Sequence, residues 1–320
     1  MRGAIVLIDG LFQVNRSTEA SGGGLYVDRE VTLLRTLFLS NTALGYCGGV
    51  CAFGPLTVTD SLLQSNRAIS YSGGALTGYG TVALSGTRLI DNAAGENGGG
   101  AFSLGAMTVN GGAFQGNRAI QSSGGGVYAE RGLTVTNALF SANVAGYRGG
   151  GLFQFFGSAR IVNTLFERNR SDESTMYFAA TSLVSVIHTT IASPTQAGTA
   201  AITVVTGTLR VTNTIIASHT VGILRNGGTV QENFNLFFGN GLDRSAGVPV
   251  GPNSLSGNPR FANVWAGDYH LTEASPARNT GTNAGITTDF EGHPRPIGGA
   301  YDMGYDEWLP PRAYVPLVAR

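Results

Sequence analysis

The sequence predicts an all-β fold, a single-stranded right-handed parallel β-helix whose rungs are 25 or 26 residues long, with a C-terminal capping module. Seven asparagines, each three places after a large apolar residue, recur at this period, and glycine doublets or triplets follow six of them. A fixed period with turn residues in constant phase is typical of a solenoid. The seven pairs are Phe12/Asn15, Phe38/Asn41, Leu63/Asn66, Leu89/Asn92, Phe114/Asn117, Phe140/Asn143 and Phe166/Asn169.

The first strand of each rung is predicted from two apolar columns, ten and eight residues before the asparagine. The column between them is mostly threonine, and this alternation indicates a half-buried strand. Turn-forming residues then interrupt the pattern six places before the asparagine. The apolar columns are Ile5, Val31, Leu56, Val82, Met107, Leu133 and Leu7, Leu33, Val58, Leu84, Val109, Val135, Ile161; the turn column is Asp9, Asp60, Gly86, Gly111, Asn137, Asn163.

A second short strand carries the large apolar residue to the asparagine, and a third follows the glycines. The third strand has an apolar column of its own: Leu25, Cys51, Leu76, Ala101, Val127 and Leu152. Three strands and three turns per repeat predict one rung of a β-helix, and stacked rungs lie ~4.8 Å apart.

The recurring asparagines predict a structural ladder. Identical amides stacked at strand spacing can bond to one another and to the turn backbone. Because the amide recurs in every rung, we prefer this structural role to ligand binding. The glycines are interpreted as turns that need a positive φ or a close backbone approach.

Domain boundaries follow from the decay of the repeat. Two further rungs are expected across 175–225, where His188, Pro194, Asn213 and His219 take corner and ladder positions, and another around Asn235–Asn240. We therefore assign 1–240 to the β-helix, 241–257 to a loop rich in Gly, Pro, Ser and Asn, 258–309 to a C-terminal module and 310–320 to a tail.

Composition excludes several classes of function. Twenty basic residues balance twenty acidic ones, which gives no basic footprint for nucleic acid. The chain has no lysine, which excludes lysine nucleophiles and Schiff bases. No apolar run approaches the ~20 residues of a membrane helix. Met1 and Arg2 lead directly into the first strand, so we expect a fragment or a misplaced start, with a signal peptide and cap lost upstream. A monomer is expected.

The two cysteines, Cys47 and Cys51, flank the Gly48–Gly49 turn. Cys51 occupies an apolar column, which favours a buried thiol. A disulfide across the turn is the alternative, and a metal site is disfavoured because two thiols without a nearby histidine are too few ligands.

The repeats resemble those of polymorphic outer-membrane proteins. The resemblance covers roughly residues 4 to 170 and rests on F-x-x-N (FQVN, FLSN, FQGN, FSAN, FERN) in phase with G-G-[AGV]-[LVA] (GGGL, GGAL, GGGV). It implies a surface-displayed β-helical passenger domain with a role in adhesion.

The C-terminal part resembles the end module of secreted bacterial β-helix proteins of the choice-of-anchor Q type. The matching segments are NPRF at 258–261, DYHL at 268–271, SPARNTG at 275–281, DFEGHPRP at 289–296 and DMGYDE at 302–307. Asn258 and Asn279 replace two aspartates of the usual pattern, and Tyr305 with Asp306 disturbs its last motif. The resemblance implies secretion or cell-surface display. The final YVPLV, at 314–318, is interpreted as an edge strand or a sorting tail.

This module holds the densest group of carboxylates: Asp289, Glu291, Asp302, Asp306 and Glu307. Hard cations take several carboxylate and carbonyl oxygens, so the spacing allows a calcium site. It equally allows a network centred on Arg295 that fastens the module onto the last rung, and we favour the network. No other cofactor is predicted.

An enzyme is the main alternative, a polysaccharide lyase or a glycoside hydrolase. Hydrolysis needs carboxylates that converge on one groove, and the outward columns hold mostly Thr, Ser, Asn, Gly and Ala. The local candidates are Arg168, Arg170, Asp172 and Glu173 with Tyr177, where a rung lacks its glycines; ordinary surface charge is the simpler explanation.

Two outward columns are candidate binding surfaces. Arg16, Arg67, Arg118 and Arg170 directly follow ladder asparagines on alternate rungs, about 10 Å apart. These arginines are either a track for an anionic glycan or a by-product of repeat duplication. Of the two explanations, we favour duplication. The second column is Tyr26, Ala52, Thr77, Phe102, Tyr128 and Phe153, and stacked rings there would suit a sugar or a protein partner if they face outward.

The sequence therefore predicts a secreted or cell-surface β-helix that acts in adhesion or carbohydrate binding without catalysis. Its expected partners are acidic glycans or surface proteins. A structural spacer without a ligand is the third possibility.

Overall fold

The computed structural model describes residues 4–310. The chain forms a parallel β-solenoid of about ten rungs, which confirms the predicted fold class. Each strand pairs in parallel with its copy one rung away; Ile5 lies beside Val31, and Val31 beside Leu56. The expected tail strand at 314–318 and the first two residues of the chain lie outside the described residues.

Two sheets carry the predicted first and second strands. The first sheet contains Ile5–Ile8, Val31–Leu34, Leu56–Thr59, Val82–Ser85, Met107–Asn110, Leu133–Thr136, the later parts of Leu152–Val162 and Ser174–Ile187, Thr208–Thr212 and Thr229–Asn233. The second contains Leu11–Gln13, Leu37–Leu39, Leu62–Gln64, Arg88–Ile90, Ala113–Gln115, Leu139–Ser141, Leu165–Glu167, the first parts of Thr190–Val204 and Ile215–Arg225, Leu236–Phe238 and Leu255–Ser256.

A third sheet of two-residue strands was not predicted, because two residues are too few to show a period. Its strands directly follow the ladder asparagines: Arg16–Ser17, Thr42–Ala43, Arg67–Ala68, Ala93–Ala94, Arg118–Ala119 and Val144–Ala145. The fourth sheet contains Leu25–Val27, Val50–Ala52, Leu76–Gly78, Ala101–Ser103, Val127–Ala129, the starts of Leu152–Val162 and Ser174–Ile187, the ends of Thr190–Val204 and Ile215–Arg225, and Leu242–Arg244.

The core is a set of apolar columns that run along the solenoid axis. Phe114, Phe140 and Phe166 are fully buried and stack face to face, with ring centroids 4.6 and 4.7 Å apart. The inward residues of the first sheet are also buried from Val31 onward, whereas Ile5 and Leu7 in the first described rung are half-buried. This arrangement follows from the sequence alternation, because successive residues of a strand point to opposite faces.

The asparagine column forms a continuous hydrogen-bonded ladder. In each step the side-chain amide nitrogen and the backbone N–H donate to the Oδ1 of the next asparagine. Asn66 donates in this way to Asn92 at 3.0 and 2.9 Å, and Asn92 donates to Asn117 at 2.9 and 3.1 Å. The same Nδ2 also donates to a carbonyl of the preceding rung, that of Phe38 for Asn66 and that of Leu63 for Asn92.

The ladder asparagines differ in exposure along the solenoid. Asn15, in the first described rung, is exposed, and Asn169, the last of the seven, is 2% exposed. Asn66 is fully buried although it lies at a turn, because the backbone of Gly49 packs against its amide. The ladder therefore satisfies amides that water cannot reach, and no ligand could reach them either. The fully buried members are Asn41, Asn66, Asn92, Asn117 and Asn143.

The backbone conformation at the corner column, six places before each asparagine, explains which residues occur there. Asp9, Asp60, Asn137 and Asn163 all adopt a positive φ, between 45° and 54°. Asp and Asn tolerate this left-handed conformation better than other non-glycine residues. His188 and Asn213 continue the column with φ of 47° and 51°.

Glycine at the other corner meets a different need. A Cβ on Gly74 would lie 2.1 Å from the carbonyl oxygen of Gly99 in the next rung, which no side chain could accommodate. The glycine doublets therefore allow the rungs to approach each other closely at this turn.

The predicted register of the strand after the glycines was wrong in the rung that contains Cys47 and Cys51. Val50, not Cys51, pairs with Leu25 and Leu76, so Cys51 takes the register position of Tyr26 that was assigned to Ala52. The doublet Gly48–Gly49 takes the last two places of the glycine triplet, with Cys47 at the first, whereas Gly73–Gly74 takes the first two. Aligning the two doublets therefore displaced both assignments. Cys51 is not a buried thiol: it forms a disulfide with Cys47, and both residues are fully buried.

Residues 241–257, assigned to a loop from the sequence, also contribute strands to the solenoid. They contribute the strands Leu242–Arg244 and Leu255–Ser256, which pair with the last rungs, and Val248 enters the core. An ion pair at 2.8 Å joins Arg244 to the buried Glu232. These residues extend the solenoid by a partial turn.

The C-terminal module contains one antiparallel hairpin, Phe261–Asn263 and Asp268–Leu271, joined by the 3₁₀ turn Val264–Ala266. It packs along the side of the later rungs, on the outward face of the second sheet. Tyr269 and Tyr305 cover Leu165, Ala192 and Ala217, and Leu271 and Met303 cover Ile215 and Leu236. Residues 4–310 include no helix that is both long and apolar enough to cross a membrane.

The ladder leads to a first prediction. Replacing Asn117 by Leu removes the side-chain donor to Leu89 O, one of the two donors to Asn143 Oδ1, and the acceptor of the backbone N–H and one side-chain N–H of Asn92. We expect the free energy of unfolding to fall by about 1–3 kcal/mol, measured by chemical denaturation. Arg118→Ser, an exposed change at the next position, is the control. An unchanged midpoint for Asn117→Leu would show that the ladder contributes nothing to stability.

Candidate functional site

The alternate-rung arginines form one straight exposed column. Register in the third sheet places Arg16 beside Thr42, Thr42 beside Arg67, Arg67 beside Ala93, and Ala93 beside Arg118. Val144 and a bridge to Arg170 complete the column. All four arginines are exposed, and none belongs to an ion pair among residues 4–310.

The last arginine lies in a groove of about 630 Å³. The groove forms because the strand Thr190–Val204 leaves register between Ala192 and Ala200, so that residues 193–199 form a wall opposite Arg170. The hydroxyl of Ser171 closes the turn that lacks glycines by accepting from the N–H of Ser174 at 2.9 Å. The polar side chains of the lining are Arg168, Asn169, Arg170, Ser171, Asp172, Ser193, Thr195, Gln196 and Thr199.

The groove brings together some of the candidate catalytic residues and separates others. Arg168, Arg170 and Asp172 line it. Glu173 is instead paired with Arg148 at 2.9 Å. Arg168 is held by Glu167 at 3.2 Å and donates to the carbonyls of Val264 and Trp265.

The chemistry of the groove follows from this separation. Asp172 is the one carboxylate among its described lining residues, whereas hydrolysis by an acid and a second carboxylate needs two. Arginine and hydroxyl groups dominate the surface. The groove is therefore better suited to hold an anionic or hydroxyl-rich chain than to protonate a leaving group.

The aromatic column faces outward, because the neighbouring apolar column lies in the core. It is nevertheless mostly covered: Phe102 is 9% and Phe153 5% exposed, whereas Tyr26, at 49%, presents its ring widely. Phe153 stacks on Tyr128 at 4.7 Å and on Tyr177 at 5.4 Å, and burial raises the pKa of Tyr128. The stacked rings of Tyr128, Phe153 and Tyr177 therefore serve mainly to pack neighbouring rungs together.

Sequence reasoning missed a more exposed aromatic surface next to Tyr26. Phe53 stacks on Tyr79 at 4.1 Å and Tyr46 on Tyr71 at 4.7 Å. Phe53 and Tyr71 are each more than 40% exposed. These residues lie in turns, where no alternating pattern marks the direction of a side chain, so only their shared phase on successive rungs could have indicated the stacks.

The carboxylates of the C-terminal module fall into two groups. In the first, the fully buried Arg295 side chain donates to Glu307 Oε1 at 2.8 Å and to the carbonyl of Gly304 at 3.0 Å. Glu307 also accepts from the N–H groups of Ile297 and Asp302. This is the predicted Arg295 network, although it fastens the module beside earlier rungs, through Gly304 to Asn213 and Tyr305 to Thr190, and not onto the last rung.

Asp302 belongs to the same group. Its two oxygens accept from the N–H groups of Asn279 and Trp308 at 2.7 and 2.8 Å. Burial raises the pKa of Asp302 to about 6 despite these bonds. Asp302 and Glu307 are thus occupied by internal donors, and the five predicted calcium ligands do not converge on one point.

The second group contains Asp289, Glu291 and Asp306 together with His270 and His293. Sequence analysis did not connect the histidines with these acids. The spacings D-x-H at 268–270 and D-x-x-x-H at 289–293 were available as a signal, but the two segments are 21 residues apart and meet only in the folded module.

Comparison with protein-family models, with curated proteins and with solved structures gives no match. The assignment of the chain to the parallel β-solenoids therefore rests on its own geometry.

Proposed function

We propose that the protein binds an extended acidic glycan along the arginine column without catalysing its cleavage. The observation that carries this proposal is the alignment of four exposed arginines, unpaired among the described residues, on one rigid face. Opposite charge attracts a polyanion to such a face, and the protein loses little conformational freedom on binding. The two-rung spacing of about 10 Å makes the four cations a linear array.

The groove at Arg170 supports the same assignment. It lies at the end of the column and adds Thr195, Gln196 and Thr199 as groups that can bond to sugar hydroxyls. An extended chain would thus contact isolated cations along the rungs and a polar recess at the end. Each contact is weak and screened by salt, and affinity comes from their number.

Secretion or cell-surface display is part of this proposal. It is supported by the resemblance of the repeats and of the C-terminal module to surface and secreted β-helix proteins. The Cys47–Cys51 disulfide supports it independently, because disulfides persist in oxidising compartments.

The binding prediction is tested with the triple variant Arg67→Ser, Arg118→Ser and Arg170→Ser. We expect an acidic polysaccharide to bind the native protein at low ionic strength and to bind the variant at least about tenfold more weakly, since several charged contacts are removed together. Surface plasmon resonance or a glycan array measures the affinity. Salt should weaken native binding steeply.

The matched control removes the same charge elsewhere. Arg29, Arg88 and Arg131 are exposed and lie outside the column, so their triple replacement by Ser should leave the affinity nearly unchanged. Equal losses in the two variants would show that only net charge matters. If no acidic polysaccharide binds at low salt, the proposal is wrong and the role of a structural spacer remains. If the protein binds only a protein partner, that partner and not a glycan is the ligand.

A polysaccharide-cleaving enzyme is the second candidate, because the groove forms at the irregular rung that holds Asp172. Release of reducing ends or of unsaturated uronates that disappears in Asp172→Asn would overturn the non-catalytic proposal. Glu173→Gln is the comparison, since Glu173 is paired with Arg148 outside the groove lining.

A further inference from the structure

Three segments of the C-terminal module bring imidazole and carboxylate groups to one place. The strand Asp268–Leu271 contributes His270, the turn at 289–293 contributes Glu291, and the last described segment contributes Asp306. One ligand atom from each of these three residues lies within 4.8 Å of the others. They border a shallow cavity of about 200 Å³.

His270 is oriented as metal-bound histidines are. Its Nδ1 lies 2.6 Å from a carboxylate oxygen of Asp268, so a proton on Nδ1 donates to Asp268, and Nε2 becomes a ligand atom when a cation displaces its proton. That Nε2 lies 3.1 Å from Glu291 Oε1. A carboxylate behind an imidazole sets its tautomer and increases its basicity as a ligand.

Asp306 is the second, independent indication. It is only 4% exposed, and the single hydrogen bond that it accepts from the described residues is a long one, 3.4 Å from the N–H of Leu271. A buried carboxylate with so few donors is costly unless a cation compensates it. Burial also raises the pKa of Asp306 to about 7, which is consistent with this shortage of donors.

A neighbouring set, Asp289, His293 and Asp306, is equally compact but differently occupied. Asp289 accepts from the N–H groups of Glu291, His293 and Glu307 and lies 3.1 Å from Nδ1 of His293. Its oxygens are already used to shape the turn. The set that retains ligand capacity is His270, Glu291 and Asp306.

We propose that His270 Nε2, Glu291 and Asp306 bind a divalent transition-metal ion of the Zn²⁺ type. An imidazole nitrogen beside two carboxylates suits Zn²⁺, Co²⁺ or Mn²⁺, whereas Ca²⁺ takes six to eight oxygens. The ion would join three segments that are separate in sequence and so stabilise the module. This site is independent of the arginine column and of the proposed glycan.

The experiment uses the full chain after removal of metal by a chelator. Calorimetric titration with Zn²⁺ is expected to show one site, and His270→Gln and Glu291→Gln are expected to abolish it. Asp268→Asn, which alters only the group behind His270, should weaken Zn²⁺ binding by about 10–100-fold. The melting temperature of the native protein should rise with Zn²⁺, because an ion that binds only the folded state stabilises it.

His293→Gln is the matched control, because it removes the other half-buried imidazole. The remaining two of the four histidines, His188 and His219, are buried and cannot bind added metal without unfolding. One Zn²⁺ retained in His293→Gln and lost in His270→Gln supports the assignment.

Loss of Zn²⁺ binding in His293→Gln alone would overturn the ligand set. No binding to the folded native protein, or tighter binding of Ca²⁺ than of Zn²⁺, would overturn the site. Circular dichroism of each apo variant checks that the solenoid is intact, and the visible spectrum of the Co²⁺ form reports directly on imidazole ligation.

Discussion

A chain that ends at Gly257 is expected to aggregate. The C-terminal module covers outward residues of the second sheet, and its removal would expose Leu165, Ile215 and Leu236, which are now at most 5% exposed. The result would be a contiguous apolar strip along parallel strands, a surface that promotes association. Light scattering and size-exclusion chromatography measure the outcome.

A rescue variant separates this cause from general misfolding. Leu165→Ser, Ile215→Ser and Leu236→Ser in the shortened chain should restore a monodisperse protein, because the solenoid core lies on the opposite face of these strands. A shortened chain that remains monomeric without these changes, with its β-signal intact, would show that the module has no covering role.

The outward column that contains Leu165, Ile215 and Leu236 differs in exposure between the early and the later rungs. In the early rungs it contains Leu11, Leu37 and Arg88, and the two leucines are 58% and 38% exposed. In the later rungs it becomes Leu165, Ile215 and Leu236, which the module buries. Because leucine occurs among both the exposed and the covered members, the sequence of this column does not show which rungs the module covers.

Features with a short local cause could be predicted. The strands, the corner residues and the asparagine positions each follow from residues that recur at one period, so the rung geometry was accessible from sequence alone. The Cys51 register failed because the doublets Gly48–Gly49 and Gly73–Gly74 occupy different places of the glycine turn, and two adjacent glycines do not show which places they fill.

Features formed by distant residues could not be predicted. The groove needs the wall at 193–199 as well as Arg170, and the histidine–carboxylate cluster needs three segments of the module. Their proximity depends on how the chain folds back along the solenoid, and no spacing in the sequence encodes it. The arginine column, by contrast, was visible because each member has the same phase in its rung.

The buried ion pair of the module gives the second large prediction. Arg295→Met is expected to reduce the free energy of unfolding by about 3–5 kcal/mol, because it leaves the buried Glu307 carboxylate without its cation. Both side chains of the pair are 0% exposed, so water cannot replace the lost contact. Urea denaturation followed by the fluorescence of Trp265 and Trp308, the two tryptophans of the chain, measures the change in the module.

The double variant Arg295→Met and Glu307→Gln tests the physical reason. It removes the orphaned charge, and the amide oxygen still accepts from one of the two N–H groups that Glu307 binds now, Asp302 at Oε1 and Ile297 at Oε2. We expect it to recover part of the stability lost in Arg295→Met. If both variants lose the same amount, the loss comes from packing around the arginine stem, and the module does not depend on the charge pair.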